Sequence, residues 1–257
     1  MHPGFSFTTR VFNMIVNYLE GFWQIIPQRT HGLLAGQLCG QWEKVEGIDR
    51  WFETIIATAE HDDVYNEFEN DDALLNENGG PVHYKMRIFQ KSKCEALLKN
   101  AQTRSQYVAI LTSRHLRFLY ESCEEKAARE YAKKLKQVED QWISDSGFSQ
   151  QQIALAYGLL QWCDALSLLI CQKLFPPEQR KIEISKGPGD HAYYIYQAND
   201  STLVVEPWPF KEDKFDISFE SRSLKQLTFG SVEEFRKLLY KQKPIAHRYT
   251  ICKKAGA

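Results

Sequence analysis

Residues 153–172 read IALAYGLLQWCDALSLLICQ and carry a single charge, Asp164. A run of twenty such residues is long enough to span a bilayer. The polar positions argue otherwise: Gln161, Asp164 and Ser167 recur every third residue and make one polar stripe on a helix. The flanking loops also lack the interfacial arrangement of a lone anchor. The stretch therefore reads as a central core helix, capped at Ser149, with one functional face. A carboxylate there must be compensated, because an unpaired buried charge is costly and tends to take up a proton. Arg114 or Arg117 could supply the compensating charge as an ion pair, and so could a metal ion.

Working outward, further helical segments turn histidines toward the same interior. Thr30 can cap a helix that begins at His31, and His31, Leu34 and Leu38 then share a face. A second helix spans residues 47–61 and ends at the dipeptide His61-Asp62. Its positions Thr54, Ala57, Thr58 and His61 form a stripe of small residues that admits a neighbouring helix or a ligand. Residues 91–100 and 103–122 are helical, and Val108, Leu111, His115, Phe118 and Leu119 fall on one face of the latter. Residues 124–142 alternate in charge, the pattern of a solvated outer helix. Residues 62–81 hold Asp62, Asp63, Glu67, Glu69, Asp71 and Asp72 before Asn-Gly-Gly-Pro and predict an acidic, irregular loop. Each candidate also has a purely structural reading. His31 can bond a loop carbonyl, His61-Asp62 can be a helix end, His115 can be a satisfied core histidine, and Asp63 can face solvent.

The ends of the chain have a different period. Residues 14–18 and 22–26 read as a hairpin around Leu19-Glu20-Gly21, closed by Pro27. Beyond Pro176-Pro177 the period falls to about two, and residues 181–185, 191–197, 202–206, 214–220 and 244–252 read as strands. A short helix is expected at 231–240 among them. The expected organisation is a poorly patterned extension at 1–13, a helical domain with its hairpin at 14–175, and a β-rich portion at 176–257 able to share a sheet with the hairpin. The chain has 257 residues, 43% of them hydrophobic and 13% aromatic, enough for a real core. A net charge of -1 with interspersed signs gives no case for nucleic acid or an anionic membrane surface as partner. Six scattered cysteines with no C-x-x-C pair, and no secretory leader pattern, predict reduced thiols in the cytoplasm.

His31, then His61-Asp62, then Asp164 on a late core helix resembles the H…HD…D signature of the HD-domain superfamily. More narrowly, HGLLAGQL at 31–38, AEHDD at 59–63 and LQWCDALSL at 160–168 look like an uncharacterised bacterial family of unknown function. The resemblance covers about residues 14–175. It implies a mainly α fold, an HD-like helical bundle with an N-terminal β-hairpin and a C-terminal β-rich portion. It also implies a divalent metal ion (Mn, Mg, Zn or Fe) on His31, His61, Asp62 and Asp164, used to hydrolyse a phosphate ester of a small molecule or nucleotide. His115, Arg114 and Asp63 are then the candidate catalytic residues, with Arg114 and Arg117 the nearest cations for a small anionic substrate. Two other classes stay open: an iron oxidase in which His115 is essential, and a non-catalytic metal-binding or regulatory module.

Overall fold

Apolar residues alternate between two faces along the N-terminal hairpin, and that alternation decides what it packs against. Strand β1 (Met14–Leu19) pairs antiparallel with β2 (Phe22–Pro27). Ile15 and Ile26 join the main core, while Met14 and Ile25 face a second cluster with Leu224, Phe235 and Leu239. A lone hairpin cannot be stable in water, and here both of its faces are covered. The computed structural model describes residues 14–64, 66–68, 74–86 and 88–254. The extension at 1–13 and the loop positions Glu69, Asp71 and Asp72 lie outside them.

Helix α1 (Gln28–Gln41) follows β2 with no intervening residue, and α2 (Trp51–Ala59) packs beside it. Next come α3 (Lys91–Arg104), α4 (Gln106–Tyr120), α5 (Lys126–Ser146) and α6 (Gln150–Gln172). Ser105 caps α4 by accepting from Val108 N–H, and Ser149 with Gln152 makes a full capping box at the start of α6. The C-terminal half supplies β3 (Ile182–Lys186), β4 (Ala192–Asn199), β5 (Thr202–Glu206), β6 (Lys214–Leu224), α7 (Val232–Lys241) and β7 (Ile245–Cys252).

The mainly α reading, an all-α bundle with a β appendage, is corrected by the sheet. All seven strands among the described residues form one mixed sheet in the order β1-β2-β6-β7-β5-β4-β3, with β5 and β7 parallel. The fold is α+β. Leu34 and Leu38 of α1 and Leu159, Leu160 and Cys163 of α6 share one core with Ile195, Val205, Ile217, Phe219 and Ile251 of the sheet. β6 shows why the sheet is a wall of that core: Phe215, Ile217, Phe219 and Ser221 are buried while the residues between them are exposed. Trp42 and Trp162 meet edge to face at 4.5 Å, with Tyr193 and Phe210 against both, and this aromatic group joins helices to strands. Period-two patterning identifies a strand but not its partner, and β2 pairs with β6 across the chain, Trp23 opposite Leu224.

Helix α6 is long and apolar enough to cross a membrane by length and composition, but over half of its apolar window is buried inside the protein. It packs on α1, α2, α4 and β3.

Candidate metal centre

The site begins with small residues. A Cβ on Gly32 would lie 2.5 Å from the Ala59 carbonyl oxygen, and one on Gly36 would lie 2.8 Å from Ala59 Cβ. Glycine at both positions lets α1 touch the end of α2, which sets His31 beside His61. The two rings meet edge to face at 4.9 Å, and His115 of α4 meets the other side of His61 at the same distance. His31 and His61 are fully buried, and His115, Asp62 and Asp164 are nearly so.

The hydrogen bonds fix which nitrogen faces the centre. Nδ1–H of His31 donates to the Gln28 carbonyl and Nδ1–H of His61 to the Thr58 carbonyl, both at 2.8 Å. Each Nε2 is thereby turned inward, where on losing its proton it offers a lone pair. Nε2 of His61 lies 3.3 Å from Asp164 Oδ1 and 3.8 Å from Asp62 Oδ2, and Nε2 of His31 lies 3.5 Å from Asp164 Oδ1. Ligands at about 2.1 Å on a tetrahedral metal are separated by about 3.4 Å. The donor atoms of His31, His61 and Asp62 lie within 4.8 Å of one another, and so do those of His61, His115 and Asp164. Two imidazoles with inward lone pairs and two carboxylates suit a borderline divalent ion, so these residues fit the metal that the sequence pattern implies.

The electrostatics point the same way. Burial pulls the His61 imidazolium down, but the Asp164 and Asp62 carboxylates outweigh it and raise its pKa to about 9. Burial opposes ionisation of Asp164, yet the His61, His115 and His31 side chains hold its carboxyl below the usual range. Without a metal, the cluster is a buried imidazolium-carboxylate pair. A divalent ion in the same place would supply the positive charge in exchange for the proton.

Gln28 and Glu67 belong to the site although the sequence reading passed over them. Gln28 Nε2 donates to Asp62 Oδ2 at 2.6 Å, which orients that carboxylate. Its Oε1 makes no hydrogen bond among the described residues and remains a buried acceptor. Glu67 is buried, accepts from the Gln28 backbone N–H at 2.7 Å and so caps α1 from a distant loop. Its own carbonyl accepts from Arg236 of α7 at 3.3 Å. The helix starts at Gln28 rather than His31, because Pro27 stands at the N-cap. That start puts Gln28 three residues before His31, on the same face, and Pro27 was the available signal.

A cavity of 420 Å³ opens onto this centre. Its floor is Gln28, His31, Asp62, His115 and Asp164, its walls include Tyr84, Phe89, Leu119, Tyr120 and Leu168, and its exposed rim holds Lys85, Glu124 and Glu125. Arg114 and Asp63 are not among the lining residues. Arg114 and Arg117 both bind the fully buried Glu139, at 2.6 and 3.0 Å. Asp63 pairs with Arg29 at 2.7 Å and lies 3.7 Å from Arg104. The structure thus gathers His31, His61, Asp62, His115 and Asp164 and leaves Arg114 and Asp63 outside.

A family model described as "Protein of unknown function (DUF3891)" matches residues 14–226. No curated protein and no solved structure matches the chain.

Proposed function

We propose, for a chain that belongs to the DUF3891 family, a divalent-metal-dependent hydrolase acting on a phosphate ester. The observation that carries this reading is the pair of buried imidazoles whose Nδ1–H groups are held by backbone carbonyls while both Nε2 atoms face Asp164. The order His31, His61-Asp62, Asp164 is that of HD-type centres, and we take the centre to be of that kind. A divalent ion bound there would lower the pKa of a water molecule and polarise an ester oxygen. His31, His61, Asp62 and Asp164 would hold the ion, and Gln28 fixes the Asp62 carboxylate. His115, buried on the same cavity floor, takes the proton of the attacking water and returns it to the departing ester oxygen. The water oxygen bonds to phosphorus as the ester P–O bond breaks. The apolar walls limit bulk water around the ester. All six cysteines are free thiols, five of them buried, and on that ground we place the protein in the reducing cytoplasm.

Elemental analysis of the purified chain tests the reading. Wild type should carry or take up one divalent ion per chain, and His61→Ala and Asp62→Asn should lose it. A folded wild-type protein that takes up none of manganese, zinc, iron or magnesium refutes it. The third histidine within ligand reach of His61 and Asp164 favours an iron oxidase as second reading. Bound iron with a visible absorption band, and no phosphoester hydrolysis, would select that one.

A further inference from the structure

We infer that the substrate pairs one phosphoryl head with an aromatic or apolar body, and that polyphosphates are excluded; this rests on the metal-centre reading above. The charge around the cavity carries the first half. Among the described lining residues Lys85 is the one lysine or arginine, against the carboxylates Asp62, Asp164, Glu124 and Glu125. With a divalent ion offsetting Asp62 and Asp164, Lys85 and two exposed glutamates make up the remaining described charge of the lining. Among the described arginines close in sequence to lining residues, Arg29 is paired with Asp63, and Arg114 and Arg117 are both engaged by Glu139. Polyphosphate sites surround the chain of phosphates with several guanidinium or ammonium groups. Here a second and third phosphate would meet apolar walls or like charge and lose hydration without replacement. One phosphoryl group can be matched by the metal and Lys85.

The walls carry the second half. Phe89 packs edge to face on Tyr120 at 5.0 Å, and Tyr84, Leu119 and Leu168 continue the surface. The volume of 420 Å³ lies at the low end of small-molecule sites, which run from about 300 to 1,000 Å³. It therefore holds a body of one or two rings.

The full chain loaded with manganese, its metal content measured first, tests this against phenyl phosphate, glycerol phosphate and adenosine triphosphate. Phenyl phosphate should exceed both others in kcat/KM by about tenfold or more, the scale on which apolar pockets discriminate. Leu119→Ala and Phe89→Leu should raise KM for phenyl phosphate severalfold, and by more than KM for glycerol phosphate, with metal content unchanged. Phenylphosphonate, which cannot be hydrolysed, should bind by calorimetry to the loaded wild type and more weakly to both variants. Equal or better use of the triphosphate, or indifference to the ring, overturns the substrate class while the metal centre stands. Failure to take up metal removes the centre itself and is read before any substrate is added. Phenylphosphonate binding without any hydrolysis of phenyl phosphate supports the substrate class and counts against the hydrolase.

Discussion

At the scale of single residues, the proposed centre holds a proton that a bound metal would have to displace. The folded pKa of His61, about 9, lies above its ordinary value of about 6.5. A raised pKa contributes stability that is fully present below pH 6.5 and is lost as pH rises through about 9. For this buried pair the contribution is on the order of 3 kcal/mol. Asp164 works in the opposite sense, its stabilisation present above the ordinary carboxylate pKa and lost as pH falls below it. Chelator-treated protein should therefore melt at a clearly lower temperature at pH 9.5 than at pH 6.5. Metal-loaded protein, in which His61 is already deprotonated, should hold its melting temperature over that range, so the gap between the two forms widens with pH. A flat profile for the chelated protein in differential scanning calorimetry would sink the account. The convergence of His31, His61, Asp62 and Asp164 was legible in the H…HD…D order, with His31 and Asp164 interrupting apolar helix faces. The roles of Arg114 and Arg117 were not. Their partner Glu139 sits in a segment whose alternating charges predict a solvated face, and only packing shows that this one position is buried.

At the scale of elements, one helix shows two opposite uses of glycine. Gly32 lies against the Ala59 carbonyl with no room for a methyl group, whereas a Cβ on Gly40 would meet nothing within 4 Å. Gly40→Ala should stabilise the protein by about 0.5–1 kcal/mol, through helix propensity and lost freedom of the unfolded chain. Gly32→Ala should instead destabilise it by about 1–3 kcal/mol and lower metal occupancy, since the end of α2 carries His61 and Asp62 away from His31. Urea titrations with metal analysis of the two variants check the pair. Equal signs for both would mean that the α1–α2 approach does not govern the centre. Most elements were legible from periodicity and capping. The start of α1 was not, because its first donor is satisfied by Glu67 from a loop whose composition reads as solvated.

At the scale of the molecule, the sheet is a structural half. The β strands beyond residue 181 cover the same core that α1 and α6 face, so the helical region lacks a wall of its own. A chain ending at residue 175 should lose cooperative unfolding and near-ultraviolet circular dichroism and should not take up metal. A truncated chain that unfolds cooperatively with bound metal would show that the helices stand alone. The alternating strands were visible in the sequence, and so was a sheet shared by the hairpin and the C-terminal strands, but its strand order and register were not. These depend on contacts such as Gln24 with Ser223, whose sequence separation leaves no local trace.

Strand β2 ends at Pro27 and α1 begins at Gln28, so no linker absorbs length between the sheet and His31. One residue inserted between positions 24 and 31 would advance the chain by about 3.3 Å in the strand or turn it by about 100° in the helix, and His31 would miss the centre. The turn at Glu20 and Gly21 keeps positive φ at both residues but is exposed and carries no residue of the centre. Changes of chain length are therefore tolerated on one side of β2 and forbidden on the other. The hairpin tip is the place to attach a tag or a reporter.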